Sequence, residues 1–273
     1  MFLIILISSV LFNYCNATTN TTVEKNIQQQ SKPNTKKKLS KEEMKKLEET
    51  RNKIMMMLQQ KMKNLDMNKI YDTYNKRPLM NPNTSSIQDR VYGKKNTKHK
   101  LLVFSDFACT HCANASNNLR ARVDENKDAV NLNYIFFPLD KDCNKNLKGK
   151  LSDYSCPAFK MALCSEKEGK LKEAISYLYD NKPVISKDKK FDANVFLNTM
   201  QKTLGLKDIR TCMSSDWLKK KIETENNIYK GIKIKGTPII LLDGKELPPV
   251  YKSKELFKQF LKTLELKENP NRR

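Results

Sequence analysis

Two cysteines separated by two residues, Cys109 and Cys112, close an apolar run in the stretch VFSDFACTHCANAS, with His111 between them. Such a pair can ligate a metal, staple a turn, or exchange electrons through a reversible disulfide. Zinc takes four ligands, often as two such pairs. Here there is no second CxxC, and the only other histidine is His99, so no metal is expected. A structural bridge over so short a span at a helix start is strained. Electron exchange fits better, because a helix that opens at Cys109 offers its sulfur unpaired backbone N–H groups and the positive end of the macrodipole. The thiolate is the reactive form of cysteine, and an ordinary thiol is mostly protonated at neutral pH. Cys109 is therefore the expected nucleophile. Cys112, one turn in and more buried, is the expected resolving residue. His111 is the third catalytic candidate, adding positive charge or a hydrogen bond to the thiolate. Whatever stabilises the thiolate makes the disulfide a stronger oxidant, by about 30 mV for each ~1.4 kcal/mol.

The elements around this pair read as an α/β order. KLLVFSDF is a buried strand leading into the cysteines, and CANASNNLRARVDEN is the helix that carries them. VNLNYIFFPLD is the next strand. Residues 154–210 are helical, and DWLKKKIETENNIYKG is a final helix before the last strands. TPIILLDGKELPPVY reads as two strands around an Asp243-Gly244 turn. SKELFKQFLKTLEL closes the domain as an amphipathic helix capped by Ser253. The sheet is expected to be mixed, with a helical insertion at about 145–212.

Ahead of this domain, assigned to 75–273, the chain divides into three parts. Residues 1–17 read as an export signal: the apolar run from Phe2 to Phe12 is too short to span a bilayer, and small residues precede a cut after Ala17. The signal lacks a basic start, and a second reading makes Cys15 a lipid-modified N-terminus, for which Tyr14 is a poor neighbour. Residues 18–39 are a polar tether too poor in apolar residues to order itself. Residues 40–74 hold a helix and linker. There Ser40 and Glu43 form a capping box, and Met44, Leu47, Ile54, Leu58, Met62 and Leu65 make one apolar stripe. That stripe packs on its own domain or joins several copies of the chain through residues 41–66. The Pro-, Ser- and Lys-rich residues 75–97 read as linker up to the first strand near Val91.

The net charge of +22 comes from scattered lysines without a nucleic-acid motif, so no nucleic-acid partner is expected. Beyond Cys15, six cysteines remain: Cys109, Cys112, Cys143, Cys156, Cys164 and Cys212. An even number in an exported chain suggests disulfides, and spacing alone leaves their pairing open. The short sequons at Asn16, Asn20, Asn83 and Asn114 are read as chance.

The second half of the site is KGTPIILLDGKELPPVY, where a proline enters an apolar strand. A cis Thr237–Pro238 bond there would leave the Thr237 backbone to pair with an extended substrate chain.

FSDFACTHC followed by this stretch resembles the Dsb family of extracytoplasmic thioredoxin-fold thiol–disulfide oxidoreductases, over roughly Val91 to Leu266. The resemblance implies a nucleophile at Cys109, a resolving cysteine at Cys112 and a substrate-binding Thr237 with cis Pro238. It implies a thioredoxin fold that needs no cofactor, in the periplasm or another extracytoplasmic space, acting on cysteine-containing exported proteins. The Phe-Ser-Asp before the cysteines and the Thr before the proline are more similar to the DsbC-like isomerases. His111 is similar to the DsbA-like oxidases. FPLDKDCN followed by SCPAFKMALC resembles DsbA-like proteins found with quinone-linked membrane partners. The DsbC-like isomerases carry a second disulfide, and ALCSEKEG with IRTCMSSDW resembles its two ends, which implies Cys164–Cys212 and leaves Cys143 with Cys156. The chain departs from the family at Thr110, where the oxidase has proline, and at Val103, where thioredoxin and the oxidase bury an acid; Asp106 stands closer to the cysteines. The competing reading is a non-catalytic thioredoxin-fold surface or binding protein that uses a basic face.

Overall fold

The computed structural model describes residues 65–88, 90–182, 191–230 and 232–268, together with positions 42, 45–46, 48–53 and 56–57, which are helical. The export signal, Cys15, the tether, the Ser40–Glu43 box and the stripe from Met44 to Met62 lie outside the described residues. Among the described residues, no helix is long and apolar enough to cross a membrane.

The chain divides into two compact units, one of residues 74–247 and one of the segments before and after it. In the second of these, helix α1 (Met67–Asn75) starts at Asp66, whose Oδ1 accepts from the N–H groups of Asn68 at 3.0 Å and Lys69 at 3.3 Å. At the other end of the chain, a short 3₁₀ turn, Pro249–Lys252, leads to the last helix, Lys254–Glu268, which buries Leu256, Phe257, Phe260, Leu261 and Leu264 at helical spacing. The Ser253 hydroxyl accepts from the Leu256 N–H at 3.4 Å.

The unit 74–247 is built on a five-stranded mixed sheet in the order β1-β3-β2-β4-β5. The strands are β1 (Val91–Tyr92), β2 (His99–Ser105), β3 (Val130–Phe136), β4 (Ile239–Leu242) and β5 (Lys245–Glu246). Only β2 and β3 run parallel. Helix α2 (Thr110–Glu125) makes the crossover between them. In register, Val103 faces Tyr134 on one side and Ile240 on the other. β3 is buried along its whole length and β2 along most of its own, because both faces of the sheet are covered. One face packs Phe104, Ile135 and Leu241 against Ile87, Ile228 and Tyr229. β3 holds Asn131 as well, and its amide is satisfied by the carbonyls of Lys94 and Lys95, each at 2.9 Å. The turn between β4 and β5 places Asp243 at φ 48° and Gly244 at φ 82°.

Between β3 and β4 come the helices α3 (Ser155–Lys167), α4 (Leu171–Asp180), α5 (Ala193–Leu204), α6 (Ile209–Met213) and α7 (Asp216–Ile228). Asp192 caps α5 and Ser215 caps α7 through side-chain oxygens that accept first-turn N–H groups.

The stretch read as linker is instead part of the unit. Tyr74 donates its hydroxyl to the Leu242 carbonyl at 2.7 Å, the Met80 N–H reaches Gly244 at 2.8 Å, and Leu79 bridges Lys245. Ile87 enters the core at 2% exposure. Proline and serine prevent a long helix or strand here, but they do not prevent single apolar side chains from docking. A Cβ on Gly244 would meet Leu79 Cδ1 at 2.7 Å, so this glycine serves both the turn and the docked chain.

Arg90, at the end of that stretch, is buried. It donates to Glu225 at 2.7 and 3.0 Å and to Glu166 at 2.7 and 2.8 Å, and it lies 4.7 Å from the Phe136 ring centroid. Lys221 approaches both carboxylates at 3.5 and 3.7 Å, so two cations meet two anions. The cluster ties the edge of the sheet to α3 and α7. Removing one member strands a buried charge. Glu225→Ala is expected to destabilise the protein by about 3 kcal/mol in denaturant unfolding, the lower end for a broken buried pair because Glu166 remains. Glu223→Ala, whose partner Lys145 is exposed, is expected to cost less than about 1 kcal/mol.

Candidate active site

β2 ends at Ser105, and a tight turn through Asp106, Phe107 and Ala108 delivers Cys109 to the start of α2. The turn is anchored by Phe107, which is buried with ring centroids 5.2 Å from Phe136 and 4.9 Å from Tyr179. Cys109 is the N-cap, with φ −81° and ψ 115°, and its sulfur accepts the Cys112 N–H at 3.3 Å. Serine and aspartate fill this capping role elsewhere in the chain, so here the residue bound to the helix terminus is also a nucleophile. Cys112 lies one turn in, fully buried, and neither residue is in a disulfide.

The environment separates the two thiols. The Cys109 pKa is brought down to about 6, chiefly by a hydrogen bond from the Cys112 side chain, against the effect of burial; Thr237 and the Cys112 N–H add to the lowering. Burial pushes the Cys112 thiol well up, and the neighbouring Cys109 adds to it. One sulfur is thus ionised near neutral pH while the other keeps its proton.

The Thr237–Pro238 bond is cis, and the Thr237 carbonyl stands 3.5 Å from Cys109 Sγ. The strand-entry loop therefore borders the nucleophile although it lies far along the chain. His111 is exposed on the first turn of α2, next to the pair in sequence. The other sites singled out in the sequence are also brought together in space. Cys143 is joined to Cys156, which starts α3, and Cys164 of α3 is joined to Cys212 of α6. Among the described residues, no group of three His, Cys, Asp or Glu side chains could hold a metal ion.

Two further polar residues stand near the nucleophile: Asp106, noted in the sequence as the acid closer to the cysteines, and Lys182, which no local pattern marks. Val103 is in the sheet core, and the buried carboxylate is Asp106 at 1% exposure. Asp106 accepts from the Ala108 N–H at 2.5 Å, the Leu139 N–H at 2.7 Å and the Ser155 hydroxyl. Burial raises its pKa against these donors, and its charge opposes ionisation of Cys109. Lys182, just after α4, donates to Thr110 Oγ1 at 2.6 Å and to the Ala108 carbonyl at 3.2 Å. Its ammonium grips the residues on both sides of Cys109. Nothing local to Lys182 signals this, because its partners are 72 and 74 positions away.

Residues 85–264 match a family model described as Thioredoxin. No curated protein matches the sequence. Among solved structures, oxidised BdbD from Bacillus subtilis is similar with a TM-score of 0.52 and 15% identity, over 68% of this chain and 97% of that one. The alpha-DsbA1 of Wolbachia pipientis is similar with a TM-score of 0.50 and 15% identity, over 70% of this chain and 94% of that one. At these identities the likeness is one of fold.

Because Cys112 contributes most to the lowered value, Cys112→Ala is expected to raise the Cys109 midpoint from about 6 toward the ordinary ~8.5 of a free thiol, read by thiolate absorbance. The sign for stability follows from linkage. Cys109 is depressed in the folded state, so its ionisation stabilises the reduced protein fully above the unfolded thiol value, and this is lost as pH falls through about 6.

Proposed function

The chain belongs to the thioredoxin family, and from that premise we propose that it is a thiol–disulfide oxidoreductase acting on cysteine-containing exported proteins. The observation that carries the reading is the capped Cys109 sulfur, which the Cys112 side chain and the helix N-terminus hold as an anion. Stabilising that anion favours the reduced protein, so the Cys109–Cys112 disulfide is poised to oxidise substrates.

A substrate thiolate attacks Cys109 Sγ of the disulfide, forming a mixed disulfide, and Cys112 leaves with the electron pair and takes a proton. A second substrate thiolate attacks the substrate sulfur of the mixed disulfide and expels the Cys109 thiolate. The substrate loses two electrons and gains a disulfide; the protein becomes the dithiol. An external disulfide or a quinone-linked membrane protein then reoxidises it. In this scheme the Thr237 backbone aligns the extended substrate chain, and His111 favours the thiolate electrostatically. The disulfides Cys143–Cys156 and Cys164–Cys212 are structural, and they suit an oxidising, extracytoplasmic space.

A second reading, isomerase, draws on the helical positions Met56 and Met57, which are 71% and 55% exposed. A helix that exposes apolar side chains suits self-association, which would place several exchange sites on one substrate.

Cys112→Ser is expected to accumulate mixed disulfides with disulfide-containing substrate proteins, its Cys109 thiolate attacking the substrate disulfide and expelling one substrate thiolate, seen as adducts on non-reducing gels, and Cys109→Ser to form none. Activity retained by Cys109→Ser would overturn the assignment. Refolding of a scrambled substrate faster than oxidation of a reduced one would favour the isomerase.

A further inference from the structure

Two segments that adjoin the nucleophile carry lysines. On one side is Lys182, held by Thr110 Oγ1 at 2.6 Å and the Ala108 carbonyl at 3.2 Å. Those two residues adjoin Cys109, and neighbouring Cα atoms are about 3.8 Å apart. The ammonium therefore acts on the Cys109 sulfur from within about one Debye length, roughly 10 Å at 0.1 M salt. On the other side is the segment that enters Thr237, whose carbonyl is 3.5 Å from the same sulfur. Lys235 lies two positions before Thr237, at most ~7 Å of extended chain, and Lys233 two positions further. Both are exposed. Among the described residues, none of these three lysines is paired with a carboxylate. The carboxylate on the active-site turn, Asp106, is buried and accepts from Ala108, Leu139 and Ser155.

Some lysines elsewhere are paired with acids, as in Lys150 with Asp153 at 2.9 Å and Lys219 with Asp216 at 2.8 Å. Lys182, Lys233 and Lys235 are distinguished by position, since they adjoin the segments that carry Cys109 and Thr237. An acidic neighbour raises the pKa of a substrate thiol and so depletes the attacking thiolate. A cleft lined by ammonium groups offsets that penalty and draws the segment in.

We propose that the cleft beside Cys109 selects cysteines set in acidic segments, with Lys182 and Lys235 meeting carboxylates on either side of the substrate sulfur and Lys233 extending the field. This deepens the exchange reading and rests on it. The chemistry is the exchange already balanced above, with glutathione disulfide as the oxidant in the assay.

The test uses the full chain in its oxidised form and three dithiol peptides matched except for acidic, neutral or basic residues beside the cysteines. At about 0.01 M salt, where the Debye length is roughly 30 Å, the acidic peptide is expected to be oxidised at least ~10-fold faster than the basic one. At about 1 M salt, with a Debye length near 3 Å, that ratio is expected to fall to within ~2-fold. The double change Lys233→Glu with Lys235→Glu is expected to abolish or invert the order at low salt, and Lys182→Gln to diminish it. Equal rates for the acidic and basic peptides, a ratio indifferent to salt, or an unchanged ratio in the double variant would overturn the proposal. Equal oxidation of all three peptides would leave the exchange reading standing and remove only this one. No oxidation of any peptide would sink the exchange reading, and this proposal with it.

Discussion

A sulfur anion half-withdrawn from water is costly unless donors face it, and the turn after β2 exists to supply them. Cys109 takes the cap position of α2, so the N–H of Cys112 and the helix dipole point at the sulfur without any side chain having to move. Cys112 completes the arrangement by being buried, which keeps its own proton on and available for donation. The same burial that disfavours a second thiolate thus stabilises the first. If α2 began one residue earlier or later, this pairing of a capped sulfur with a buried one would be lost.

The surrounding structure can be understood as what holds that helix start in place. Phe107 is locked among Phe136 and Tyr179 below the turn, and Asp106 gathers donors from its own turn, from the loop after β3 and from the start of α3. The start of α3 is in turn tied to that loop through Cys143 and Cys156. Arg90, Glu166 and Glu225 fasten the sheet edge to the helical insertion. Lys182 closes over the turn from α4. Each of these attachments adds rigidity to a site whose chemistry depends on tenths of an ångström in hydrogen-bond length.

Much of this was legible in the residues, for identifiable reasons. A paired-cysteine motif is local, and so are a strand of continuous apolar residues, an Asp-Gly turn and a serine cap; each is carried by neighbours in sequence, as at β2, Asp243-Gly244 and Ser253. The family resemblance added the link between the cysteines and Thr237, which no periodicity reveals. What escaped local reading were contacts made across the fold. Arg90 finds Glu225 across 135 positions, and Lys182 finds Ala108 across 74. Within residues 75–97, assigned to the domain but read as linker, the docking is not legible because the anchors Leu79, Met80 and Ile87 are single apolar residues among polar ones, without a period to mark them.

The measurement that bears most directly on the account is the reduction potential of the Cys109–Cys112 pair, taken by equilibration with glutathione. Stabilisation of the Cys109 thiolate predicts a value less negative than the about −270 mV of thioredoxin, toward the about −120 mV of a strong oxidant. A value more negative than about −300 mV, where structural disulfides lie, would contradict it.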